Sequence, residues 1–360
     1  MSLKRWISAD TQFLDIAEEF RLESGKTLPH VRVAYRTWGE PKPEATLICH
    51  ALTGSADADD WWNGLFGPGR VFDPSHDYIV AANVLGGCSG TTGPTSRKPG
   101  RLAPYGPDFP AVSIRDMVRL QALLLDHIGV DRLHLVIGGS MGGMQTLEWA
   151  LMYPERVDAI VPIGVGAAQS PWAVGLSEAQ RHAIVNDPWF RGGRYRKGRG
   201  PNNGLATARM IAMCSYRSPD NFATRFGRFE QDGGGFAVQS YLRHQGAKLV
   251  DRFDANTYLT LLAAMDGYDL GRGRGPIEAV LHHVATPALV VAISSDVLYP
   301  AAEGAELAGS LGNAEFTVLD KPQGHDAFLI ETDELNDIVV DWLQRTQGRA
   351  PAAVAEGAGR

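Results

Sequence analysis

Gly138-Gly139-Ser140-Met141-Gly142 sets one hydroxyl between two glycines, directly after the apolar run Leu133-His134-Leu135-Val136-Ile137. The G-x-S-x-G spacing fits a nucleophile elbow, a strained strand-to-helix turn that lifts a serine hydroxyl clear of a sheet. Such a turn needs backbone angles that side chains resist, and its helix must cross the strand closely, which is why glycines flank the serine. Small residues also cluster in ordinary turns. A strand before and an amphipathic helix after distinguish this stretch, so Ser140 is the candidate nucleophile.

A serine hydroxyl is a poor nucleophile near neutral pH and needs a positioned base, itself oriented by an acid. In sheets that carry such an elbow the chain order is Ser, then Asp or Glu, then His. Downstream histidines are His182, His244, His282, His283 and His325. His282 and His283 immediately precede an expected strand, at the edge away from where sites form. His182 and His244 fall in a region without buried strands. His325 follows the strand Phe316–Leu319 at its carboxyl edge and is the candidate base. Asp296, just after the strand ending at Ile293, is the candidate acid, with Asp320 as competitor. An oxyanion needs two backbone N–H donors. Met141, next after the nucleophile, is one; Leu52, in the loop His50-Ala51-Leu52-Thr53-Gly54-Ser55, is the other.

The elements that must position these residues alternate. Ala45–His50 and Tyr78–Val84 read as strands buried on both faces. A helix is expected over Ser113 to Ile128, with Ser113 as N-cap. Strands at Leu133–Ile137, Val157–Gly164, Pro287–Ile293 and Ala314–Leu319 follow, and a helix from about Asp326 to Arg345 closes the pattern. Strands alternating with helices imply parallel pairing with right-handed crossovers. Between about Ala167 and Ala285 the rhythm breaks into helix-like segments (Glu178–Val185, Leu205–Ser215, Asn256–Met265). The expected organisation is therefore an α/β core over 1–166 and 286–346, a helical lid insertion over 167–285, and a disordered tail over 347–360.

Bulk properties exclude several function classes. The chain has 360 residues, 44% hydrophobic and 21% charged, with a net charge of -7, which argues against a nucleic-acid partner. No apolar run approaches the roughly 18 residues that span a bilayer, and the N-terminus lacks the apolar core of a signal peptide, so a cytoplasmic setting is expected. Cys49, Cys88 and Cys214 are too few and scattered for a disulfide framework or a zinc cluster, so no metal is expected. Cys49 reads as a small core hydrophobe.

With these motifs in hand, the chain resembles the homoserine O-acyltransferase family (MetX-type homoserine O-acetyltransferases) within the α/β-hydrolase fold. The resemblance is carried by Cys49–Gly54, Asn83–Pro94, Gly138–Gln145, Gly204–Arg209, Ser215–Ser218, Arg252–Asn256 and Gly324-His325-Asp326, in order along nearly the whole chain. It implies a mostly parallel sheet flanked by helices, and acyl transfer from acyl-CoA to the side-chain hydroxyl of a small amino acid through an acyl-Ser140 intermediate. It supports Asp296 over Asp320, and Leu52 and Met141 as oxyanion donors. It further implies that Arg209 pairs the acceptor's carboxylate, that Tyr216 assists, and that Asp326 holds its ammonium. A guanidinium fork suits the first task. The resemblance also implies a homodimer, no permanently bound cofactor, and acetyl-CoA or succinyl-CoA as donor substrate. Ser89 lies in a loop position that varies among relatives, and Gln239 stands where a glutamate is expected.

Three function classes compete on these residues. A CoA-dependent acetyltransferase acting on L-homoserine is the leading expectation, with a succinyl donor or a serine acceptor as its variants. An ester hydrolase would use the same triad on water, but has no need of Arg209 and Asp326. A non-catalytic binding module is disfavoured by the intact Ser140, Asp296 and His325. The basic run Arg191–Arg199, with Arg196 and Lys197, is either a solvated loop or a rim that steers CoA phosphates.

Overall fold

The buried apolar runs become the middle of one sheet. The computed structural model describes residues 7–196, 198–231 and 234–348. Its strands are β1 (Gln12–Ile16), β2 (Phe20–Arg21), β3 (Thr27–Leu28), β4 (Val31–Trp38), β5 (Glu44–Cys49), β6 (Ile79–Ala82), β7 (Arg132–Gly139), β8 (Ile160–Ile163), β9 (Ala288–Ile293) and β10 (Ala314–Leu319). Helices before β9 are α1 (Ala58–Trp61), α2 (Ile114–His127), α3 (Met141–Met152), α4 (Pro171–Val185), α5 (Asn202–Tyr216), α6 (Pro219–Phe226), α7 (Ala237–Val250), α8 (Ala255–Asp266) and α9 (Ile277–His282). After it come α10 (Ala301–Ser310), α11 (Ala327–Ile330) and α12 (Thr332–Gln347).

Eight strands form the main sheet in the order β1-β4-β6-β5-β7-β8-β9-β10. From β6 to β10 all neighbours are parallel, whereas β4 runs antiparallel to β1 and β6. Side chains alternate across the sheet as the strand period requires. Leu47 and Cys49 enter one core with Met117, Leu147 and Tyr258. Ile48 enters the other with Trp62, Phe328 and Trp342. The first core lies under α2, α3 and the inserted helices, and the second under α12. The capping box of Ser113 and Asp116 starts α2 where the sequence places it.

Two features depart from the sequence reading. The edge strand β1 and the β2–β3 ribbon carry no buried apolar run; β1 is mostly exposed, and its alternation is confined to half-buried Leu14 and Ile16 around exposed Asp15. The helix expected from Asp326 to Arg345 is broken instead. A 3-10 turn spans Gly324–Asp326, α11 ends at Ile330, and α12 begins after Glu331, whose ψ is 50°. The Phe328 carbonyl accepts the Trp62 indole N–H at 2.8 Å, which draws it toward the core at the end of α11. Gln347, read as the start of the tail, closes α12, while residues 349–360 lie outside the described residues.

Between β8 and β9 the described residues form α4 to α9 and no strand of either sheet. Glu148, on the buried side of α3, fastens the end of this segment to the core. Its carboxylate takes Arg115 Nε at 2.9 Å and Arg274 Nη2 at 2.6 Å, and Arg115 Nη2 donates to the carbonyls of Asp269 and Arg272. No helix among the described residues is long and apolar enough to cross a membrane.

Removing one partner of a buried ion pair strands the other charge, at a cost of about 3–5 kcal/mol. The two arginines keep some solvent access, 14% and 23%. Glu148→Gln is therefore expected to lower unfolding stability by about 3 kcal/mol, at the low end of that range. Arg272→Gln, which loses only a half-exposed pair with Glu23, should cost less than about 1 kcal/mol. Urea unfolding of both variants checks the contrast; equal losses would contradict it.

Candidate active site

Ser140 is held in a conformation that L-residues avoid. Its φ is 58° and its ψ -124°, between the end of β7 and the start of α3. The strain is fixed by bonds on both sides: Ser140 N donates to the Ile163 carbonyl at 2.8 Å, and the Ser140 carbonyl accepts from Met144 N at 3.1 Å. The glycines are sterically required. A Cβ on Gly142 would sit 2.1 Å from the Cys49 carbonyl oxygen, and one on Gly138 would sit 2.6 Å from the same atom. The elbow thus crosses the end of β5 backbone to backbone. This brings Met141, the first residue of α3, beside the segment that leads to Leu52. Both residues are buried.

The base and acid meet at the neighbouring strand ends. His325 Nδ1 donates to Asp296 Oδ2 at 2.6 Å. Asp296 Oδ1 accepts from Leu298 N at 2.8 Å and Tyr299 N at 3.0 Å, so the carboxylate cannot rotate freely. Asp320, the competitor, is exposed one residue beyond β10. The His325 ring packs between Tyr299, Tyr216 and Phe328, with centroids 5.4, 5.8 and 5.6 Å away. It also lies on Gly164, where a Cβ would meet the ring at 3.3 Å. Gly164 follows Ile163, the residue that accepts from Ser140 N, so nucleophile and base share one corner of the sheet. His325 Nε2 is fully buried and has no hydrogen-bond partner among the described residues.

The asymmetry leaves one ring nitrogen available. With Nδ1–H committed to Asp296, Nε2 carries the free lone pair and is the atom able to take a proton. Burial opposes charging the imidazole, but the Asp296 carboxylate outweighs it, and the His325 pKa stands above its ordinary value. His182, His244, His282 and His283 are on α4, α7 and α9 or just beyond it, none in this corner.

Around the same corner lie the three residues implied for acceptor binding. Arg209 on α5 places its guanidinium carbon 5.1 Å from the Tyr216 ring centroid, and its Nη1 is buried without a partner among the described residues. Asp326 follows the base directly. Burial raises its carboxyl pKa, against the pull of Arg217, Arg209 and His325. Sequence reasoning gave no role to Arg217, whose Nε lies 3.2 Å from Asp326 Oδ2. Its signal was its place in Ser215-Tyr216-Arg217-Ser218, beside a residue that was singled out. Arg252 was missed likewise; its Nη1 donates to the Thr53 carbonyl at 2.6 Å, next to Leu52. The basic run is partly engaged elsewhere, Arg194 pairing with Asp108 at 2.9 Å. Arg196 is exposed, and Lys197 lies outside the described residues.

The geometry has close parallels. The profile of the alpha/beta hydrolase fold family matches residues 45–332. A homoserine O-acetyltransferase from Nostoc punctiforme is 55% identical over 93% of this chain and 96% of its own length. One from Chlorobium chlorochromatii is 52% identical over 96% and 99%. Among solved structures, a homoserine O-acetyltransferase from Bacillus anthracis superposes with a TM-score of 0.86 at 24% identity, covering 96% of this chain and all of that one. The acetyl esterase MekB superposes with a TM-score of 0.81 at 28% identity, covering 94% and 97%.

A base must be neutral to accept a proton, so activity should rise with pH through the raised His325 pKa. The profile of kcat/KM for the acyl donor is expected to have its acid-limb midpoint above 6.5, the ordinary histidine value. Asp296→Asn removes the larger of the two carboxylate influences that raise it, leaving Asp326 against the burial that lowers it. The variant's midpoint should move down, while kcat falls by about 10⁴. A variant midpoint at or above the wild-type one contradicts this assignment.

Proposed function

The chain belongs to the homoserine O-acetyltransferase family of the α/β-hydrolase fold, and from that membership we propose how its residues carry the acyl transfer. Ser140 Oγ attacks the thioester carbonyl of acetyl-CoA while His325 Nε2 takes its proton. The tetrahedral oxyanion rests against the backbone N–H groups of Leu52 and Met141, at the positive end of the α3 dipole. Its collapse breaks the C–S bond, and the proton on His325 leaves with the CoA thiol. In the second half, His325 takes the proton of the homoserine hydroxyl, whose oxygen attacks the acetyl group on Ser140. The product ester departs as the proton returns to Ser140 Oγ.

One observation carries the choice of acceptor. A buried, unpartnered guanidinium nitrogen on Arg209 and a half-buried carboxylate on Asp326, the residue next to the base, lie close enough to feel each other's charge. Opposite charges near His325 match the carboxylate and ammonium of an amino acid, whose hydroxyl would then be presented to the base. Arg217 holds the Asp326 carboxylate in place, and the Tyr216 ring supports Arg209 through a cation–π contact. An ester hydrolase has no use for such a clamp. The helices of 167–285 are assigned as the lid that keeps water from the acyl-enzyme, which lets a dilute acceptor held in attacking geometry outcompete solvent. The relatives' names support acetyl-CoA as donor over succinyl-CoA. A homodimer belongs to the same reading and rests on the family resemblance, whereas a cytoplasmic setting rests on the few, scattered cysteines and the lack of a membrane-spanning apolar run.

Initial rates with acetyl-CoA or succinyl-CoA, crossed with L-homoserine or L-serine, test this reading. Acetyl-CoA with L-homoserine should give the highest kcat/KM, with parallel double-reciprocal lines. CoA release without acceptor should be at least about tenfold slower, a barrier difference of roughly 1.4 kcal/mol. Arg209→Ala should raise the acceptor KM roughly ten- to a hundredfold while the donor half-reaction persists, since a charge-assisted bond is worth about 1.5–3 kcal/mol. CoA release at the same rate with and without any hydroxylated amino acid would make the enzyme a hydrolase.

A further inference from the structure

Gln145 is wholly buried on α3, one turn beyond the nucleophile, and takes no part in the chemistry above. Its side-chain Nε2 donates to the His50 carbonyl at 3.3 Å and to the Met141 carbonyl at 3.0 Å. Those carbonyls belong to the two segments that bear the oxyanion donors, the loop after β5 and the first turn of α3. One amide therefore ties both segments together from behind.

The direction of this amide is fixed by a chain of buried hydrogen bonds. Trp149 Nε1 is a donor only, and it donates to Gln121 Oε1 at 2.8 Å. Gln121 must therefore present its NH₂, which donates to Gln145 Oε1 at 2.7 Å. Gln145 in turn has its NH₂ directed at His50 and Met141. A flip of either amide would set oxygen against oxygen or nitrogen against nitrogen between fully buried side chains, where an unmade hydrogen bond is costly. The loop end is fixed independently. Burial holds the His50 imidazole neutral, with its pKa down at about 4. His50 Nε2 accepts from Val84 N at 3.2 Å and Nδ1 donates to the Ala51 carbonyl at 2.8 Å. With His50 anchored to Val84, just beyond β6, and its carbonyl bonded to Gln145, the segment leading to Leu52 is tied to the first turn of α3.

We propose that the buried relay Trp149–Gln121–Gln145 sets the oxyanion hole, with Gln145 as the positioning residue that holds Leu52 and Met141 at the spacing the tetrahedral intermediate needs. The inference rests on the acyl-Ser140 reading and on these two donors. A misplacement of donors by a fraction of an ångström weakens binding of the tetrahedral state and leaves ground-state binding of donor and acceptor nearly intact.

The test is Gln145→Met, which keeps volume and removes the amide, and Gln121→Met, which leaves Gln145 in place but removes its guide. Butylboronic acid serves as the tetrahedral probe, since serine adds to its boron and a boron hydroxyl takes the oxyanion position. Gln145→Met should lower kcat in both half-reactions by about ten- to a hundredfold, with each KM within about threefold of wild type. The boronate inhibition constant should weaken in parallel, with the melting temperature within a few degrees. Gln121→Met should show the same pattern at about three- to tenfold. Unchanged kcat and boronate affinity in Gln145→Met, or in Gln121→Met should the first fail to fold, overturns the proposal. A wild-type enzyme that forms no boronate adduct at Ser140 overturns the acyl-serine reading and the inference with it.

Discussion

The crossing of the elbow over the end of β5 is the constraint on which the site depends. Two backbones approach so closely that a single methyl group on Gly142 would overlap the Cys49 carbonyl. That approach forces Ser140 into positive φ, starts α3 beneath the hydroxyl, and lays the loop of Leu52 against the first turn of the helix. The position of the Ser140 hydroxyl, the start of α3 and the approach of the two segments proposed to bear the oxyanion donors thus follow from one steric fact, and the Gln145 relay is proposed to set the donors' final spacing. The strain it stores, of the order of 1–3 kcal/mol for a non-glycine residue at such angles, is held by the parallel ladder of β5, β7 and β8 on either side.

Much of this was legible in the sequence because each part has a local signature. The glycine spacing around Ser140, the apolar runs of β5, β7 and β9, and the Ser113 N-cap are all short-range patterns, and the structure contains them where the residues indicate. The Asp296–His325 bond joins residues far apart in sequence, yet chain order and strand ends sufficed to choose the pair. The misses share a different cause. The break after Ile330 depends on Trp62, more than two hundred residues upstream, reaching the Phe328 carbonyl. Arg217 and Arg252 matter through what they touch after folding. Neither period nor spacing encodes such contacts, and in β1, a mostly exposed edge strand, the alternation of Leu14 and Ile16 is too short to read.

A shared fold does not decide between transfer and hydrolysis. An acetyl esterase and a homoserine O-acetyltransferase both superpose on this chain, as expected where function resides in the site and not in the scaffold. What separates the outcomes is the surroundings of the base. The inserted helices bring Arg209 and Arg217 over a sheet edge that already holds His325 and Asp326, and the Glu148 cluster fastens that insertion to α2 and α3, the helices behind the nucleophile. The proposed acceptor clamp and the proposed nucleophile are therefore mounted on elements that hydrogen bonds tie together, which suits a reaction whose second step must exclude water.

The most direct measurement is peptide-level mass spectrometry of the enzyme incubated with acetyl-CoA alone, followed by addition of L-homoserine. The account predicts one acetyl group on the peptide bearing Ser140, discharged rapidly by L-homoserine and only slowly by water, and no adduct in Ser140→Ala. An acetyl group on another residue, or turnover with no adduct at Ser140 under conditions that trap the intermediate, would contradict it.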